Sequence, residues 1–416
     1  MTSKKTFWQV LGPGILYAAA AIGISHLVQA TRAGADYGLG LTLIILFACA
    51  IKYPTLRFGG DYSAATGESL IANYKRQGWW IFSIYAFAEL FSMVFIVAAV
   101  SLFTLGLFKA VFGIDVPNVL GVALLLSAVI ALLLSGKYHL LEGITKYLIA
   151  LLTVMVILAT ILVIPKIEWS FQAFAPPSFD ATSILYLVAL IGFMPSPANG
   201  SVLQSLWTCA KAETDGQLPT QQESRLDFNV GYSISVLLAL CFLLLGAGVM
   251  HSNEVVVEKS NGGFSAQLIQ LFTETIGEWS FYLIATAAII VMLSTLFTVV
   301  DGMARIFVGL VTATRGENEY KPPSQKSYGW AMILICIASV LVLATMMHSF
   351  ATFIDLASVV LFIVSPLVAF INHRAVTGDS MPEANKPNAL LRNWSLLSLF
   401  FLLVLTVLYL YFRIVG

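Results

Sequence analysis

About eleven times along the chain an apolar run of roughly twenty residues recurs, the length a helix needs to cross the hydrocarbon core of a bilayer. The runs lie at about 13–32, 40–59, 79–108, 117–135, 145–165, 183–210, 229–250, 281–304, 329–347, 350–371 and 392–413. They leave no stretch long enough for a separate soluble domain. Residues are 59% hydrophobic and only 11% charged, more apolar surface than a soluble core can hide. The chain is therefore predicted to be an all-α integral membrane protein, a single transmembrane domain over 1–416 with the lipid bilayer as its surroundings. Net charge is zero, so no basic field argues for nucleic acid. Cys49, Cys209, Cys241 and Cys336 lie far apart and show no metal-ligand spacing; they read as small core residues.

Two of these runs contain stretches that ordinary membrane helix cannot accommodate. One is Gly23-Ile24-Ser25-His26 in the first run; the other is Met194-Pro195-Ser196-Pro197-Ala198-Asn199-Gly200 in the sixth. Within hydrocarbon every backbone amide and carbonyl must find a partner inside the protein. Prolines at i and i+2 remove two donors and leave carbonyls that must line a cavity or meet side chains. Laid over each other, runs one to five and six to ten bring the interruptions into register as the first helix of each half. Five spans is an odd number, so the second half enters from the opposite side: two inverted five-helix repeats, about 10–165 and 178–372, with 392–413 as an added helix.

Orientation follows from the cations between runs. Sixteen lysines and arginines fall on the side of the N-terminus, among them Lys75, Arg76, Lys211 and Arg225, against five on the other, with Lys52 inside a run. The N-terminus is expected in the cytoplasm and the C-terminus outside, in a cell (inner or plasma) membrane. On the outer side, apolar residues over 264–276 recur at helical spacing and predict an interfacial helix.

Beyond these patterns, Gly12-Pro13-Gly14, Ala33-Gly34-Ala35-Asp36-Tyr37-Gly38, Ala65-Thr66-Gly67, Ala88-Glu89-Leu90 and Met194-Pro195, at their spacings, resemble the Nramp divalent-metal transporters. The resemblance implies a leucine-transporter-like fold, a divalent cation as cargo and protons as the coupling ion. It also marks departures. Nramp proteins carry Asp-Pro-Gly-Asn at the first break, where counting from Gly12 places Gly23, Ile24, Ser25 and His26, so the carboxylate is missing. Their Met-Pro-His in the sixth span is here Met194-Pro195-Ser196. An acidic pair in the third span falls on Ile96 and Ala99.

The substrate-binding candidates are Gly23, Ile24, Ser25, His26, Met194, Pro195, Ser196 and Asn199. His26 is either a metal ligand or titrating group, or a neutral imidazole donating to a freed carbonyl. Asn199, Ser196 and Ser25 either complete a cation shell or solute site, or cap half-helix ends. Met194 offers a soft thioether, with packing as its alternative role; His26, Asn199 and Met194 form the candidate metal set. The coupling or gating candidates are His26, Lys52, Glu89, Asp301 and Arg305. Lys52 either replaces a coupling cation, binds an anion, or snorkels to water. Glu89 either relays protons or bonds a neighbouring helix as a neutral acid. Asp301 and Arg305, at i and i+4, suit an ion pair, with gating as the other reading.

With no P-loop, no GxGxxG in a strand-to-helix setting and no HExxH, nothing suggests an enzyme or calls for a cofactor. A secondary active transporter is expected. The metal reading comes from the family likeness, while the missing aspartate favours a small organic solute, such as an amino acid or organic acid, on the same fold. A non-transporting membrane receptor or accessory subunit is the reading from a different class.

Overall fold

A computed structural model describes residues 6–135, 138–176, 181–251, 267, 269–270, 273, 277–315, 324–346 and 350–415. A short helix α1 (Phe7–Val10) precedes α2 (Pro13–Ala21), which opens on proline at its first turn, where the missing amide is harmless. After a break, a π-helical segment Ile24–Ala30 runs directly into α3 (Thr31–Tyr37), which stops at Gly38 with φ +54°. Then follow α4 (Thr42–Thr66), α5 (Leu70–Gln77), α6 (Trp79–Phe112), α7 (Asn118–Ser135) and α8 (Tyr138–Val163). The second half contains α9 (Ala181–Phe193), α10 (Gly200–Asp215), α11 (Gln221–Val249), α12 (Ser280–Thr314), α13 (Gln325–Met346), α14 (Phe350–Thr377) and α15 (Ala389–Val415).

Nine helical stretches among the described residues are long and apolar enough to cross a membrane, counting Pro13–Tyr37 as one. The shorter apolar pieces Ser183–Phe193 and Phe362–Thr377 belong to the sixth and tenth runs. Several runs extend further than expected: the first reaches Tyr37, the second Thr66, the eighth Thr314 and the tenth Thr377, while helix begins earlier than expected in the fifth, at Tyr138, and the seventh, at Gln221. In the second and eighth, charges that would end an apolar window are paired on the same helix: Arg57 with Asp61 at 2.9 Å and Arg305 with Asp301 at 2.9 Å. The expected interfacial helix over 264–276 falls almost entirely outside the described residues.

α11 packs along α2, the π-helical segment and α3, while α4 packs against α10, so both interrupted spans are held by a neighbouring continuous helix. Glycines set these distances. A Cβ on Gly59 of α4 would sit 1.8 Å from the Ser201 carbonyl oxygen of α10, and one on Gly34 of α3 would sit 2.0 Å from that of Leu243 in α11. Polar contacts tie the N-terminal segment to α8, α10 and α11, and other spans to one another. Asp227 accepts from the amides of Gly12 (2.8 Å) and Gly14 (2.6 Å), and Lys211 bonds Glu142 at 2.9 Å. Arg57 and Arg225 share Asp61, Asn73 donates to Ser380, and Gln325 to the Leu134 carbonyl.

Candidate transport site

The first break is narrower than the sequence suggests. Helix is lost only at Ile22 and Gly23, and Ile24, Ser25 and His26 already belong to the π-helical segment. The wider π turn keeps most backbone groups bonded, whereas a fully unwound stretch would leave them open. Thr295 of α12 supplies the rest: its hydroxyl lies 2.8 Å from the Ala19 carbonyl and 3.0 Å from that of Ile22. Its methyl group also closes on Gly23, where an added Cβ would lie 2.5 Å from Thr295 Cγ2. The space beside Gly23 is thus filled from α12.

Ser25 Oγ donates to the Ala21 carbonyl and lies 2.6 Å from His26 Nδ1. His26 Nε2 meets the Ser235 carbonyl of α11 at 2.8 Å, and the ring is fully buried. Both ring nitrogens are therefore engaged, and the carbonyl reached belongs to a neighbouring continuous helix and not to the break itself.

In the sixth run helix stops at Phe193 and resumes at Gly200, as the two prolines require. The Met194–Pro195 peptide is cis. Met194 is buried in the hydrophobic core. Lys52 reaches this break from α4: its Nζ donates to the carbonyls of Gly192 (2.7 Å) and Ser196 (2.9 Å). The side chain is wholly buried, so it does not snorkel to water. Asn199, at the start of α10, donates through Nδ2 to Glu89 Oε1 of α6 at 2.9 Å, joining two candidates from different halves of the chain. Asp301 and Arg305 stand apart from both breaks. Arg305 Nε lies 3.0 and 2.9 Å from the two Asp301 oxygens, which also accept from Trp207 (2.8 Å) and Tyr328 (2.6 Å).

A small cavity of about 50 Å³ lies between the breaks. The first break contributes Ala21, Ile24 and Ser25, the second Phe193 and Pro197, α6 Ile96 and Ala99, and α12 Thr295. Ser25 and Thr295 are the polar residues of an otherwise apolar lining, and their hydroxyls already donate to carbonyls around the first break. Ile24 and Ser25 thus face the space while His26, Lys52, Glu89, Met194 and Asn199 stand behind its walls. Among the described residues, no three or more His, Cys, Asp or Glu side chains are grouped to hold a metal ion.

Three polar residues that hold the interrupted spans to their neighbours carry no clear sequence signal. Thr295 is one of several threonines in an apolar helix. Asp227 lies 215 residues from the Gly12 amide it accepts. Asn372 of α14 bridges the Thr55 carbonyl (3.0 Å) and Ser201 (2.8 Å), and accepts from Tyr74. Only Thr295 stands inside an apolar run, where a polar side chain is a hint; Asp227 and Asn372 fall just outside the runs at 229–250 and 350–371.

Two interrupted helices facing one cavity, inside an all-helical bundle of inverted repeats, define a membrane transporter of the leucine-transporter-like fold. The chain belongs to the Nramp family of metal-ion transporters: residues 14–412 match the family described as "Natural resistance-associated macrophage protein-like". An uncharacterised protein of Pasteurella multocida (strain Pm70) is 33% identical over 380 residues, covering 89% of this chain and 86% of that protein. Among solved structures, the manganese transporter of Eremococcus coleocola superposes with a TM-score of 0.75 at 15% identity, covering 98% of this chain and 88% of that one. MhsT in complex with L-phenylalanine gives a TM-score of 0.68 at 13% identity, covering 96% and 98%.

Proposed function

We propose that the chain is a secondary active transporter of a cell membrane that loads its cargo between the two interrupted spans and, in keeping with its family, carries a divalent metal cation coupled to protons. The observation that carries this reading is the cavity itself, walled by both breaks. The Ser25 and Thr295 hydroxyls are its polar contacts, and the Glu89–Asn199 pair behind it offers a carboxylate able to exchange a proton. A cation meeting neutral oxygens must keep part of its water shell, so selectivity among metals is expected to be loose. The repeats span about 10–165 and 178–372, with α15 outside them. The N-terminus and the cation-rich segments between runs face the cytoplasm. External labelling of Gln217→Cys in intact cells would overturn that orientation.

A second reading has its own support. The lining is nearly all apolar. That suits a small organic solute, an amino acid or organic acid, better than a bare dication. Full-length protein in proteoliposomes separates the readings. Accumulation of manganese(II) under an inward proton gradient supports the first; accumulation of an amino acid or small carboxylate, with manganese excluded, supports the second. Binding without accumulation overturns both and leaves a receptor or accessory subunit.

A further inference from the structure

Lys52 is an amine at membrane depth with no ion-pair partner among the described residues, a placement that is costly unless its hydrogens are well satisfied. What satisfies them is the end of α9. The last intrahelical bond there runs from the Met194 amide to the Leu190 carbonyl. Pro195 and Pro197 have no N–H to offer the carbonyls one turn earlier, and Ser196, whose amide would serve Gly192 in a continuous helix, stands outside the helix. The carbonyl end of a half-helix carries the negative pole of its dipole, and unwound carbonyls of this kind hold coupling cations in broken-helix transporters. Here two of them hold a primary ammonium tethered to α4.

We propose that the Gly192 and Ser196 carbonyls form a monovalent-cation site whose resident occupant is the Lys52 ammonium, so that the second break needs no inorganic ion to stay formed. Two features support a cation site over simple space filling. Both contacts are donor to carbonyl, at 2.7 and 2.9 Å. One acceptor, Gly192, is a freed carbonyl in the last turn of α9, and the other, Ser196, lies in the interruption itself. Lys52 does not line the cargo cavity, so the site stands whichever cargo is carried. Lys52 acts here as a positioning residue for the break.

Lys52→Ala removes three carbons and the amine, the outline of n-propylammonium. Thermal unfolding of the purified full chain would be compared in choline chloride, in n-propylammonium chloride at equal ionic strength, and in choline chloride with 1-propanol. The alanine variant is expected to melt roughly 5 °C or more below wild type, propylammonium to restore at least half of that loss, and propanol to restore none. Wild type should respond equally to the two salts. Lys52→Met keeps the volume without the charge; it should melt below wild type and ignore propylammonium, because its side chain blocks the vacated channel. A methionine variant as stable as wild type, or an alanine variant that responds no better to propylammonium than to propanol, overturns the proposal. If the alanine variant gives folded protein only when prepared with propylammonium, the proposal holds; if it gives none under either condition, the proposal fails.

Discussion

The two interrupted spans pose the same chemical problem and meet it with different groups. At the first break, freed carbonyls are met by hydroxyls: Thr295 takes Ala19 and Ile22, and Ser25 takes Ala21. At the second, an ammonium from α4 takes Gly192 and Ser196, while a carboxyl from α6 takes the Asn199 amide. Hydrogen bonds between neutral groups contribute about 1 kcal/mol net, those involving a charge about 1.5–3 kcal/mol. The first break is therefore a wide π turn with a few light fastenings. The second is tied to two other spans through ionisable groups, and its state is coupled to whatever moves α4 and α6. In a fold whose halves are related by sequence position, the chemistry is not symmetric.

Steric tests give the largest expected effects. Gly59→Ala would drive a methyl against the Ser201 carbonyl beside the second break, and Gly34→Ala would do the same against the Leu243 carbonyl where α3, the continuation of the first interrupted span, crosses α11. Each should lower stability by about 3 kcal/mol or more, read as loss of yield and melting temperature, because backbone on both sides must move. If Gly59→Ala melts with wild type, α4 does not press on α10 and Lys52 is not held at the break by close packing.

An intermediate effect is expected at Glu89. Glu89→Ala leaves the buried Asn199 amide without its acceptor and should cost about 1–3 kcal/mol, while Glu89→Gln retains an oxygen and should stay within about 1 kcal/mol of wild type. Both are expected to lose proton-driven uptake, which separates the chemical role from the structural one. Proton-driven accumulation by Glu89→Gln at the wild-type rate would remove Glu89 from coupling and leave Lys52 as the charge that distinguishes the second break.

The smallest change probes the neutral break. Thr295→Val keeps the shape that covers Gly23 but removes the hydroxyl from two carbonyls, for a loss of about 1–2 kcal/mol. Thr295→Ser should recover most of it. Urea or thermal unfolding of the three forms decides; a valine variant as stable as wild type would mean that the first break needs no partner from α12.

Much of this was written in single stretches of chain. The apolar runs, the glycines and prolines of the two interruptions, the i, i+4 spacing of Asp301 and Arg305, and a lysine inside an apolar run are local facts. Helix length and proline chemistry act over a few residues, so the bundle and its broken spans could be read directly. The partners could not. Lys52 meets carbonyls 140 and 144 residues away, Asn199 meets an acid 110 residues back, and Thr295 closes over a glycine that sequence alone presented as an opening for cargo. An unpaired carbonyl in hydrocarbon demands a donor but does not specify which one. That choice fell to helix packing, where glycine contacts set which spans touch and so which side chain arrives at each break.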